Sequence, residues 1–150
     1  MTTSADILAR LDAKAVLIPI PPKGTEIRTP KKTYLTKGKD TDLKGWSKKT
    51  FAQTQTPAFQ RRLALSSAIA VALGKQSEGV CSIDFDDDSA LAEFIALNPS
   101  LKTSLTTAGK RGCNIWLKVT GDMPRTKILK RGDKPLGEWR STGGYTIICG

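Results

Sequence analysis

The residues best suited to chemistry in this chain are Asp84 and Asp86, in the run Gly79-Val80-Cys81-Ser82-Ile83-Asp84-Phe85-Asp86. The apolar run predicts a strand. Side chains alternate across a strand, so the two carboxylates share one face while Ile83 and Phe85 turn into the core. Two like charges side by side repel, and that cost becomes a gain where a divalent cation sits between them. Magnesium-type ions take oxygen ligands and keep waters or substrate phosphates in their shell, so one or two carboxylates facing a triphosphate meet the need. Asp87 and Asp88 read differently. With Ser89 they stand at a predicted helix start, where acids cap free N–H groups and complement the helix dipole. A D-x-D alone also occurs in sugar-nucleotide transferases, a reading that requires a doubly wound nucleotide-binding fold.

Two further stretches carry chemistry-bearing types. Thr106 to Trp116 holds Lys110 and Arg111 between Gly109 and Gly112, then Asn114 and Trp116 on one strand face. Glycine permits close backbone approach and the cations can neutralise a triphosphate, although an ordinary hairpin with a solvated basic tip fits equally well. The third stretch is Gly137-Glu138-Trp139-Arg140, followed by Gly143-Gly144-Tyr145. Glu138 alone reads as a surface acid. It gains interest as a third carboxylate for the Asp84/Asp86 pair.

Around these stand the elements that must position them. Residues 4–11 predict a short helix with Ile7, Leu8 and Leu11 on one face, and residues 15–20 a buried strand ending at Pro21-Pro22. The spacing of Phe59, Leu63, Ile69 and Leu73 predicts a helix over 57–73, started by Pro57 and stopped by Gly74. A second helix is expected from Ser89 to Leu97, ending before Asn98-Pro99. Strands are expected over 101–107, 112–119, 127–130, 138–140 and 145–149, the last two joined around Gly143-Gly144. Helices mixed with strands, then a run of strands, predict an α+β class: helices packed on a largely antiparallel sheet, in one domain spanning residues 1–150. The abrupt end after an apolar strand reads as a domain cut from a longer protein.

Composition narrows the partners. Lys and Arg number 24 against 14 acids, a net charge of +10, which favours polyanions such as nucleic acid or nucleotides. Much of the excess lies in residues 21–50, which read as a basic loop tracking phosphates, with Lys23, Lys31, Lys32 and Lys44 as candidate contacts. Trp46 or Trp116 is a candidate for stacking on a base. There is no histidine, and the three cysteines form no C-x-x-C pair, so a Cys/His zinc site and a histidine-based triad are excluded. The cysteines read as reduced and buried, which points to an intracellular, cytoplasmic setting. No apolar run is long enough to span a bilayer, and no membrane partner is expected.

Taken together and in order, the three stretches resemble the three motifs of the archaeo-eukaryotic primase superfamily, most closely the bifunctional DNA primase/polymerase domain. Ile83-Asp84-Phe85-Asp86 is similar to its hDhD strand. Gly112-Cys113-Asn114-Ile115-Trp116 stands where the family has a Gly turn and a strand with a polar residue, usually His. Glu138, with Gly143-Gly144-Tyr145-Thr146-Ile147-Ile148, resembles the late acidic motif. Residues 15–20, a basic stretch and Gly45-Trp46 look like the opening of such domains. The resemblance implies an RRM-like catalytic core preceded by an N-terminal α/β unit. It implies template-directed nucleotidyl transfer on single-stranded DNA with dNTP or NTP substrates, and a helicase as a further domain or subunit. It also implies that Asp84, Asp86 and Glu138 hold Mg2+ or Mn2+, and that Lys110, Arg111 and Asn114, with Arg140, bind the triphosphate. Asn114 departs from the usual His: it can donate a hydrogen bond but carries no proton or charge. The competing expectation is a non-catalytic module that binds single-stranded nucleic acid for a replication protein.

Overall fold

The computed structural model describes residues 1–109 and 111–150. In chain order the elements are α1 (Ser4–Leu11), β1 (Leu17–Ile20), β2 (Glu26–Arg28), β3 (Thr33–Leu35), α2 (Phe51–Thr54), α3 (Pro57–Ala64), β4 (Ala68–Ala72), β5 (Val80–Phe85), α4 (Asp88–Leu97), β6 (Thr106–Ala108), β7 (Cys113–Lys118), β8 (Lys127–Arg131), β9 (Lys134–Arg140) and β10 (Tyr145–Cys149), with short 3-10 turns at Trp46–Lys48, Lys75–Ser77 and Pro99–Thr103. The strands form a three-stranded sheet in the order β1-β4-β10, a β2-β3 hairpin, and a five-stranded sheet in the order β6-β7-β5-β9-β8. Every pairing described is antiparallel. The class is α+β as expected, and the doubly wound fold that a nucleotide-sugar transferase requires is not formed.

Alternation along β5 sorts the layers. Ile83 and Phe85 pack with Cys113, Ile115 and Ala90 against α4. On the opposite face, Val80 and the neighbouring Trp116 pack with Val71 and Leu73 of the three-stranded sheet, together with Ile7 and Leu11 of α1 and Leu63 of α3. That shared core joins the two sheets at one end of β5. Next along, the buried Ser82 hydroxyl meets the buried Thr146 hydroxyl of β10 at 2.9 Å. Past this seam the five-stranded sheet opens, and Asp84 stands there.

Several expectations are corrected. The helix expected over 57–73 ends at Ala64, and Ala68–Ala72 is instead the central strand of the three-stranded sheet. Phe59, Leu63, Ile69 and Leu73 mimic a helical stripe. But Ser66-Ser67 interrupts it, and Ala68 to Leu73 is a continuous apolar run that burial on both faces demands of a central strand. The strand expected from Leu101 begins only at Thr106, because Pro99 starts a 3-10 turn. The last two strands are not a hairpin: β9 belongs to the large sheet and β10 pairs with β4, so Ser141 to Gly144 carries the chain from one sheet to the other. Residues 21–50 are not a featureless loop; they hold the β2-β3 hairpin. Thr3 caps α1, in a reciprocal capping box with Asp6. Cys81 and Cys113 are buried as expected, while Cys149 is half-buried.

Gly112 shows how tightly the strand pairing closes around the end of β5. Its φ is +61°, and a Cβ there would lie 1.7 Å from the Phe85 carbonyl oxygen. Gly132, at a similar φ of +57°, has nothing within 4 Å of such a Cβ. Gly132→Ala should therefore cost only the left-handed strain of about 1–2 kcal/mol. Gly112→Ala should cost that plus the displacement of β7 from β5, about 3 kcal/mol or more in total. Urea denaturation of the two variants measures the difference, and equal losses would contradict this account of the strand pairing.

Candidate active site

The register of the large sheet builds the site. Asp84 of β5 lies directly opposite Asn114 of β7 on one side and Glu138 of β9 on the other. Thr107 of β6 stands opposite Asn114, and Ile128 of β8 opposite Glu138. One row, Thr107–Asn114–Asp84–Glu138–Ile128, thus crosses all five strands on a single face. Residues from three distant parts of the chain meet there because directly opposed positions in an antiparallel sheet share a face.

Glycine lets the row close up. A Cβ on Gly137 would lie 1.9 Å from the Asp84 carbonyl oxygen. The backbone before Glu138 therefore approaches β5 more closely than any side-chain-bearing residue allows.

The row sets two carboxylates directly opposite each other, an arrangement that destabilises a sheet unless it is compensated. Arg140 compensates it. Its guanidinium donates from Nη2 to Asp84 Oδ2 at 2.7 Å and from Nε to Glu138 Oε2 at 2.8 Å. The three side chains are 26–34% exposed, so the ion pairs are partly screened. Burial pushes the Asp84 carboxyl above its ordinary value, the Arg140 guanidinium pulls it back, and Asp86 and Glu138 push it up again. Lys39 lowers it, which places this lysine within the field of the site. The segment around Lys39 is held by Tyr145, whose hydroxyl donates to the Lys39 carbonyl at 3.2 Å and accepts from the Thr41 N–H at 3.4 Å.

Asp86 lies just past the end of β5, exposed, with its N–H donating to the Leu136 carbonyl. Asp87 caps α4, accepting from the Ala90 N–H at 2.7 Å. Asn114 Oδ1 is buried and has no hydrogen-bond partner among the described residues. Arg111 is exposed at the end of the turn before β7, and Lys110 lies outside the described residues.

Trp116 is not available for stacking. It is 4% exposed and its indole N–H donates to Thr107 Oγ1 at 2.9 Å. Trp46 is half-buried with its ring edge-on to Tyr145 at 4.9 Å between centroids. It lines a groove of about 790 Å³ between the β2-β3 hairpin and residues 41–46, to which Lys44 also contributes. None of the groove's lining residues belongs to the carboxylate row. Lys23, Lys31 and Lys32 are exposed, and the Lys32 ammonium sits 4.6 Å over the Tyr34 ring.

The donor set at the row is all oxygen, with two carboxylates facing each other and a cation already between them. It suits hard ions such as Mg2+ or Mn2+ rather than thiolate- or imidazole-seeking ones. Among the described residues no three Asp, Glu, Cys or His side chains are close enough to hold an ion as they stand. Asp84 and Glu138 meet, and Asp86 follows Asp84 two residues along the chain. Two protein carboxylates leave the rest of a coordination shell to water and substrate phosphate, as magnesium sites commonly do. Lys39 was missed as a site candidate because its position depends on Tyr145, more than a hundred residues away. The role of Arg140 as bridge was hidden because β9 pairing with β5 cannot be read from local pattern.

The structure is an antiparallel α+β core with opposed carboxylates on its open face, the layout expected from the resemblance to primase/polymerase domains. The family comparison agrees: the model for the bifunctional DNA primase/polymerase N-terminal domain matches residues 4–150, and the chain belongs to that family. Primase and polymerase activity is the chemistry of the family in general. A comparison with curated proteins finds no match. Among the described residues no helix is long and apolar enough to cross a membrane.

Two predictions follow from the charges. Asp84 has a raised carboxyl, so its charged form is penalised in the fold. The stability this costs is absent below the ordinary carboxylate range near pH 4 and appears as pH rises through the raised value. Asp84→Asn should therefore gain stability relative to the native protein as pH rises through that window, with no further gain below it. Thermal melts at a series of pH values check this, and a pH-independent difference contradicts it. Arg140→Met leaves two opposed carboxylates without their cation and should lose about 1–3 kcal/mol, most of it recovered in the Asp84→Asn/Arg140→Met double variant. Denaturation of the full double-mutant cycle gives the coupling directly.

Proposed function

We propose that this domain adds nucleotides to a nucleic-acid strand under the direction of a single-stranded DNA template, with Asp84, Asp86 and Glu138 holding one or two Mg2+ or Mn2+ ions. The observation that carries the reading is the direct opposition of Asp84 and Glu138 on the open sheet face, in a chain of the primase/polymerase family. Bound there, the ions would supply a more acidic attacking hydroxyl and charge neutralisation at the leaving pyrophosphate.

The chain's own residues do the rest. A hydroxyl oxygen, of a primer 3′ end or of the first nucleotide in priming, attacks the α-phosphorus of a dNTP or NTP. The new P–O bond forms as the α–β phosphoanhydride bond breaks, pyrophosphate leaves, and the hydroxyl proton passes to solvent. Arg111 and Asn114, with Lys110, hold the triphosphate beside β7. Arg140 neutralises the carboxylates, and with an ion held there it would be free to pair with a phosphate oxygen. Asn114 supplies neutral hydrogen bonding where a histidine would supply a proton or a charge. Lys23, Lys31, Lys32 and Lys44 follow the template backbone, and Trp46 borders the groove beside them. A helicase, as a further domain or subunit, supplies the unwound strand inside the cell.

Incubation with primed and unprimed single-stranded DNA, dNTPs and Mn2+ tests the reading. Extension or priming is expected, and Asp84→Ala or Glu138→Ala should each lower the rate by roughly 10²–10³-fold or more. The competing reading, a non-catalytic single-strand-binding module, predicts salt-sensitive DNA binding, no incorporation, and no effect of either substitution.

A further inference from the structure

The cross-sheet row continues past Glu138 onto an edge strand to which no role has been given. Ile128 of β8 stands opposite Glu138, on the face that carries Asp84, and is 55% exposed. With strands about 4.8 Å apart, it lies roughly 10 Å from Asp84, on the side away from Asn114. Around it the β8-β9 hairpin and its approach carry Arg125, Lys127, Lys130 and Lys134, all exposed. Arg131, also exposed, pairs with Glu93 of α4. Only Asp122 and Asp133 offset these charges between residues 121 and 136. A bulge between Leu129 and Lys130 bends the strand.

Lysines on an exposed edge strand have an ordinary use, because they discourage pairing with a second sheet. Ile128 does not fit that use. An exposed β-branched residue in the middle of an edge strand invites such pairing. Its position in the same row as the carboxylates gives it a different partner: an apolar surface flanked by cations, one strand from the reacting centre, suits the sugar and base of a nucleic-acid strand whose phosphates meet the lysines.

We propose that the β8-β9 hairpin is the seat of the growing strand, with Ile128 against its terminal nucleotide and Lys130, two residues further along the strand, on its phosphate; Lys127, opposite Trp139, belongs to the α4 face. The assignment rests on the polymerase reading and adds sidedness to it. The triphosphate lies over β7, where Asn114 and Arg111 are, and the strand that receives the nucleotide lies over β8 and β9. The two reactants thus approach the Asp84/Glu138 pair from opposite sides, as in-line displacement requires. The growing strand is favoured over the template because the hairpin borders the carboxylates, whereas Lys23, Lys31, Lys32 and Lys44 lie on or beside the β2-β3 hairpin, which is no part of the large sheet.

The test is binding and extension by Ile128→Asn and by Lys130→Gln. Both positions are exposed, and thermal melts confirm that the variants fold. Fluorescence anisotropy with a labelled primer–template, against the same template unprimed, reads the surface without requiring turnover. The lysine variant is expected to weaken primer–template binding about threefold or more, to reduce its salt slope by about 1, and to leave unprimed template binding unchanged. Ile128→Asn is expected to raise the primer–template concentration for half-maximal extension while the KM for dNTP stays fixed. Equal weakening of primed and unprimed DNA, a shift in dNTP KM alone, or no change in any of these overturns the proposal. If the native protein binds primed DNA through the hairpin yet extends nothing, the polymerase reading fails while the binding surface stands.

Discussion

Everything at the open face of the large sheet depends on Arg140 holding Asp84 and Glu138 together. Directly opposed carboxylates are among the least favourable cross-strand pairs, and here burial adds to the penalty on Asp84. The sheet tolerates them because the arginine is two residues from Glu138 on the same strand and therefore on the same face. Its Nε and Nη2 reach one oxygen of each acid. A cation is thus built into the resting site.

This arrangement explains why the surrounding backbone is so tightly drawn. Gly112 and Gly137 flank β5 from either side, each with its Cα where a Cβ would strike the carbonyl of Phe85 or Asp84. Close approach on both sides fixes the register, and the register alone brings Asn114 and Glu138 opposite Asp84. A slip of one residue on either neighbour would turn its polar group to the α4 face, among Ile83, Phe85 and Ile115.

Part of the structure around the site was legible in the sequence because it is local. The strand over Val80–Phe85, the outward turn of Asp84 and the capping duty of Asp87 follow from alternation and from the helix start. The antiparallel α+β class was legible from the order of elements. What failed was long-range. The apolar residues between Phe59 and Leu73 satisfy a helical period, and only the need for a strand between β1 and β10 makes residues 68–72 extended. Gly143-Gly144 looks like a hairpin turn, and nothing nearby says that β10 leaves for another sheet. Lys39 joined the site through Tyr145, and Arg140 became the bridge through β9, both consequences of pairings that no local window contains.

The division between sheets sets where the site can be. Val80 and Trp116 are sealed against the three-stranded sheet, Ser82 is bonded to Thr146 at the seam, and Asp84 is the first position on that face to meet solvent. Moving the acid two residues back would bury it against a hydroxyl with no room for a phosphate. Moving it two residues on places it past the strand end, where Asp86 is exposed and tied to β9 through its backbone N–H to Leu136. Position 84 is therefore where a carboxylate can be both held by neighbouring strands and reached by a substrate. The Asn114 oxygen beside it is buried and, among the described residues, unpartnered, a cost that a position chosen for packing alone would not carry.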